Sequence, residues 1–218
     1  MPRSRSATIG RTPARVRGKA QTHREIVSAA GKIIRRKGLQ AASVQEVMRR
    51  AGRTVGGFYA HFRSKTAMDA EVLRTTLAEV RAKLFSGLDR GRPNVWAKQL
   101  VTRYLAPTHR DLPSCPLPAV LSELSRSNPA TRAALVEAFE NYAREFETYA
   151  PVAPGVSPRE RALATWAMCI GGLAISRAVK GSPLSDEVLN ACAKWALPET
   201  RDPAGGVPSS FRKPSSRK

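Results

Sequence analysis

The chain is expected to be all-α, and three observations predict it. No segment sustains a two-residue alternation of β-branched and polar residues. Apolar residues recur instead at three- and four-residue spacing, and Ser or Thr followed three residues later by Glu marks helix starts. Glycine and proline supply the breaks between these stretches.

The elements follow in order. The first 20 of the 218 residues are rich in Arg, Ser, Pro and Gly and hold no acidic residue, a composition too polar to order itself. Residues 1–19 are therefore expected to form a flexible basic arm. Thr22 with Glu25 makes a capping box, and Ile26, Ala29, Ala30, Ile33 and Ile34 recur at helical spacing until Gly38, where glycine closes a helix. Ser43 with Glu46 opens a second, short helix that ends before Gly52. Thr54 caps a third through Tyr59 or His61 in spite of Gly56 and Gly57, which cost roughly 1 kcal/mol each relative to Ala. Longer helices are expected over residues 64–88, 95–105, 117–125, 129–149, 158–180 and 186–197, with Asn128, Ser157 and Ser185 as N-caps. Residues 199–218 are rich in Pro, Gly, Ser and basic residues and read as a disordered basic tail.

Charge narrows the function. Lys and Arg number 37 against 17 Asp and Glu, a formal charge of +20, which points to a polyanionic partner. Residues 1–65 carry 16 basic and 2 acidic residues, residues 66–198 carry 16 and 13. The excess is concentrated in the first third, as a nucleic-acid footprint requires. The longest uncharged run, 15 residues from Ala162, falls short of the roughly 20 needed to span a bilayer, so no membrane partner is expected. The basic amino terminus lacks the apolar core of a secretory signal, and three scattered cysteines suggest a reducing compartment; the expected location is cytoplasmic. No GxSxG, P-loop, HExxH or CxxC motif is present, and His23, His61 and His109 lack metal-ligand spacing. No enzyme activity, cofactor or metal is expected.

Three helices with a tight glycine turn before the third are the arrangement of a helix-turn-helix. The stretch SVQEVMRRAGRTVGGFYAHFRSKTAMDAEVL, from Ser43 to Leu73, resembles the DNA-binding region of TetR/AcrR-type transcriptional regulators. It shares the Ala-Gly turn, the Phe-Tyr-x-His-Phe run and the Ser-Lys start of the next helix. The resemblance covers about residues 20–80, with the motif at about 43–62; residues 81–198 agree only in layout with an effector-binding and dimerisation domain. It implies that Thr54, Tyr59, His61 and Lys65 bind operator phosphates, that Val55 and Gly56, with Gly57 beside them, face base edges, and that the helix starts at Thr22, Ser43 and Val44, with Arg53, lie against the DNA backbone. The family pattern often places an acidic residue after the Ser-Lys pair; here Thr66 and Ala67 follow, so the next helix is expected to fray at its start. Phe58 and Phe62 are read as core.

A regulator of this kind needs a homodimer matched to a near-palindromic double-stranded operator, and a pocket for a small-molecule effector. The largely apolar run from Thr165 to Val179, with the small residues Gly171, Gly172 and Ala174, fits either a dimer core or a pocket. Trp96, Tyr104, Phe139 and Tyr142 are candidate pocket residues, although their helical spacing equally fits core. Cys115, at an expected helix start, reads either as a sensor thiol or as a structural cysteine. The leading expectation is a repressor released by an effector. The alternative is a non-specific architectural DNA-binding protein that uses its basic arms.

Overall fold

A computed structural model describes residues 13–150 and 155–196, with side chains from Gly18 onward. The described residues contain nine α-helices and one 3-10 helix, and no strand. The helices α1 (Pro13–Lys37), α2 (Val44–Arg50) and the 3-10 helix Val55–Ala60 form a head. The body comprises α4 (Pro93–Tyr104), α5 (Pro107–Asp111), α6 (Leu117–Leu124), α7 (Pro129–Tyr149), α8 (Pro158–Ala178) and α9 (Leu184–Ala196). Between them α3 (Lys65–Phe85) belongs to both, packing on α1 at one end and along α7 at the other. It is continuous through residue 80, so the two parts share one helix.

One buried apolar core extends from Ile26 to Ala196. In the head, Ile26, Ile33, Ile34, Val47, Met48, Phe58 and Leu73 are buried from α1, α2, the 3-10 helix and α3. In the body the largest side chains, Trp96, Tyr104, Tyr142, Phe146 and Trp166, interlock with ring centroids 4.7–5.6 Å apart. The helix starts are chemically specified. Ser43, Ser64, Asn128 and Ser157 each accept a backbone N–H of the first turn, and Ser157 with Glu160 completes a capping box, as N-cap side chains do.

Several expectations are corrected. Helix α1 starts at Pro13, not Thr22, so residues 13–19 are helical and Thr22 lies half-buried within the helix. Proline suits a first helical position, and Ala14, Arg15, Arg17, Lys19 and Ala20 carry the helix past the single Gly18. Residues 1–12 of the expected arm and the 199–218 tail lie outside the described residues. The third helix is 3-10 rather than α, and Thr54 supplies no side-chain cap, consistent with the weak α-propensity of its two glycines. Helix α5 was too short to leave a periodic signal. Gly87, at φ +65°, sets the end of α3 at Phe85 rather than at residue 88.

Candidate nucleic-acid interface

The head presents a short exposed ridge on a buried aromatic base. Gly52, at φ +66°, turns the chain out of α2, and the Arg53 N–H donates to the Met48 carbonyl at 2.9 Å; glycine accommodates that φ without strain. Phe58 is fully buried and stacks on Phe62 at 5.4 Å. With that side anchored, Thr54, Val55, Gly56 and Tyr59 face outward. Val55 is 47% and Tyr59 70% exposed, so the ridge offers an apolar knob, bare backbone and a hydroxyl, the elements of base-edge and phosphate contact.

The glycines have no steric cause within the chain. A Cβ on Gly56 would meet nothing within 4 Å, and one on Gly57 only the Thr54 hydroxyl at 3.7 Å and the Met48 methyl at 3.8 Å. Neither has a positive φ. Gly56→Ala is therefore expected to leave thermal stability unchanged or raise it by a few tenths of a kcal/mol, while weakening DNA binding. A drop in melting temperature with DNA binding intact would place the glycine requirement inside the fold.

The remaining head residues are differently disposed. Ser43 and Val44 stand at the start of α2, where Ser43 Oγ accepts the Glu46 N–H at 3.2 Å. Glu46 in turn accepts from Arg49 and Arg50 at 2.9 and 2.6 Å, and those guanidinium groups hold its carboxyl below the usual range. Arg53 donates to Glu25 of α1 at 2.8 Å, so much of the local basic charge is already paired. Thr22 is removed from any helix start. His61 is half-buried, 5.9 Å from His23 between ring centroids, with Nδ1 lacking a partner; burial and then the neighbouring cations push its pKa down. Lys65, expected at a phosphate, is engaged inside the head: Nζ donates to Asp69 at 2.6 Å and to the Leu39 carbonyl at 3.4 Å. The Ser64 hydroxyl caps α3, which starts at Lys65 with no acidic residue in its first turn.

In the body, Trp96, Tyr104 and Tyr142 are closed core and Phe139 packs on its edge. A cavity of about 60 Å³ touches Tyr142 alone of this set. Cys115 is 1% exposed, 3.2 Å from the Tyr104 hydroxyl, and burial pushes its thiol up. That environment opposes the thiolate a sensor requires and fits a structural cysteine. A thiol reagent such as Ellman's is expected to label Cys192 first and to reach Cys115 and Cys169 only on unfolding; rapid labelling of Cys115 in the native protein would contradict this.

Two charged residues brace the structure, one joining head to body and one within the body, and the sequence pattern did not mark them. Glu123 of α6 reaches the turn after α1, where Oε2 accepts the backbone N–H groups of Leu39 at 2.6 Å and Gln40 at 3.1 Å. Gly38, at φ +85°, passes so close that a Cβ there would collide with the same carboxylate. Arg177, near the end of α8, donates to the carbonyls of His109, Arg110, Leu112 and Cys115 at 3.0–3.1 Å. The segment between α4 and α6 is thus pinned to α8, and α6 to the head. The available signal for Arg177 was its position as the first charge after 15 uncharged residues.

Residues 26–72 match the profile of the bacterial regulatory proteins of the tetR family. No curated protein matches the chain. Among solved structures the chain is similar to a TetR-family transcriptional regulator from Agrobacterium tumefaciens, 15% identical over 82% of this chain and 97% of that one, with TM-score 0.67. It is similar also to the reduced form of E. coli NemR, at 18% identity, 81% and 97% coverage and TM-score 0.66. A transcriptional regulator from Rhodococcus sp. Rha1 shares 20% identity, 80% and 95% coverage and TM-score 0.62. At these identities the likeness establishes the fold.

Proposed function

We propose that this chain, whose residues 26–72 match the bacterial regulatory proteins of the tetR family, binds a near-palindromic operator as a homodimer and represses transcription until a small molecule releases it. The observation that carries the reading is the exposed ridge of Val55, Gly56 and Tyr59 on a buried Phe58–Phe62 base, with no fold-internal reason for its glycines. Thr54, Tyr59 and His61 are assigned to phosphates, Val55 and Gly56 to base edges, and no catalytic step is involved.

Dimerisation is supported by one face of α8 and α9. Ala164, Ala167 and Gly171 lie along it, with Leu163, Ile175 and Trp195 exposed beside them. Small residues permit close helix approach, and exposed large apolar groups mark an interaction surface. Light scattering that reports a monomer at micromolar concentration, both free and on DNA, would remove the dimer.

Selection of bound sequences from random DNA, followed by titration of two variants, tests the reading. Tyr59→Phe deletes one hydroxyl and is expected to weaken all sequences by a similar factor. Val55→Ala is expected to re-rank operator variants, at on the order of 1–3 kcal/mol for the affected base pair. Recovery of no preferred sequence, together with a steep salt dependence, would favour the architectural alternative.

A further inference from the structure

A cavity of about 370 Å³ lies between head and body, walled by the C-terminal half of α1, by α3, and by the segment that joins α4 to α6. Its volume is within the range of small-molecule sites. The apolar lining comes from Val80 and Leu84 on one side and Leu112 and Pro113 on the other, and Leu112 is left 61% exposed. Such an apolar side chain gains by being covered.

The charged lining is unbalanced. Arg35, Lys83 and Arg103 face a single carboxylate, Glu79, which is already bonded to Arg35. Lys83 has no acidic partner among the described residues. Arg103 uses Nη1 to bind the Leu84 and Ser86 carbonyls at 2.6 and 2.7 Å, and its other two nitrogens have no partner among the described residues. A guanidinium held this way is a fixed fork for a carboxylate or sulfonate.

We infer that this head–body cavity binds a small amphipathic anion, with its apolar part against Leu84, Leu112 and Pro113 and its acidic group toward Lys83 and Arg103. The consequence for DNA rests on the regulatory reading above. The wall at residues 108–114 is continuous with α6, which holds the head through Glu123, while the facing wall belongs to α1 and α3. A ligand that touches both walls favours one placement of the head over another and shifts the population accordingly.

The probe is 1-anilinonaphthalene-8-sulfonate, titrated by fluorescence into the full chain. The expected result is saturable binding displaced by decanoate and not by decanol. Lys83→Glu is expected to weaken it about tenfold and Leu112→Asn to weaken it as well, with Lys83→Arg binding like the parent. Both positions face the solvent edge, and equal melting temperatures verify that the variants fold. No saturable binding, binding indifferent to both Lys83→Glu and Leu112→Asn, or displacement by decanol as readily as by decanoate would overturn the inference. A gel-shift assay with the selected operator separates the two conclusions. Operator binding without probe binding removes the site and leaves the regulator; Lys83-dependent probe binding without any operator preference does the reverse.

Discussion

Glu123→Ala is expected to destabilise the fold by about 3 kcal/mol and to weaken DNA binding although residue 123 is remote from the exposed ridge. The carboxylate satisfies two backbone N–H groups in the turn that leads from α1 to α2. Leu39 is only 5% exposed, so its amide cannot turn to water when the acceptor is lost. Leaving a buried donor unpaired costs more than a hydrogen bond normally contributes. Both bonds go to the same oxygen, Oε2, so Glu123→Gln can retain both through its amide oxygen and is expected to cost about 1 kcal/mol, the loss of charge alone. Thermal unfolding of the two variants decides: equal melting temperatures for Ala and Gln would show that the hydrogen bonds contribute little. For a chain of this size the Ala variant should melt roughly 6–12 °C lower.

Arg177→Met is the second large effect. The substitution keeps most of the aliphatic volume and removes donors that serve four carbonyls between His109 and Cys115. A charged donor that closes several carbonyls of one loop is worth more than an isolated bond, and a cost of about 2–3 kcal/mol is expected. Amide exchange should accelerate in residues 108–116 and much less in α3 or α7. Uniform acceleration throughout would mean that the arginine supports the whole body instead of holding this segment. Because the loosened segment leads into α6, the variant is also expected to respond less to any ligand of the head–body cavity.

Two helix starts in the body were readable because their signals are local, whereas Ser185, expected as an N-cap, lies inside α9 with its hydroxyl bonded to Ser176. Asn128 with Pro129 and Ser157 with Glu160 specify their helix starts with side chains within three residues, and α7 spans the expected residues. The exposed ridge was legible for the same reason, since Gly52, Phe58 and Phe62 are all short-range determinants. The start of α1 was missed because a Thr-x-x-Glu spacing occurs inside a helix as readily as at its start. Of the Lys65 contacts, the Asp69 pair is local, four residues on, but the Leu39 carbonyl lies 26 residues away and leaves no mark in the sequence. The two clamps are less visible still, since Glu123 and Leu39 are 84 positions apart. Cys115 followed the same pattern, its helix-start position being plain in sequence and its burial under Tyr104 a property of packing alone.

The three tryptophans divide in a way that bears on how this protein can be watched. Trp96 and Trp166 are 0% and 2% exposed, whereas Trp195 on α9 is 79% exposed. Two indoles therefore emit from a dry interior and are shielded from iodide, and the third emits from water and is open to quenching. If α9 lies in the subunit contact, association withdraws Trp195 from solvent while the other two remain constant. Across a dilution series, the red shift and gain of quenching that accompany dissociation then read out the monomer–dimer equilibrium without any label, against an internal standard carried by the same molecule.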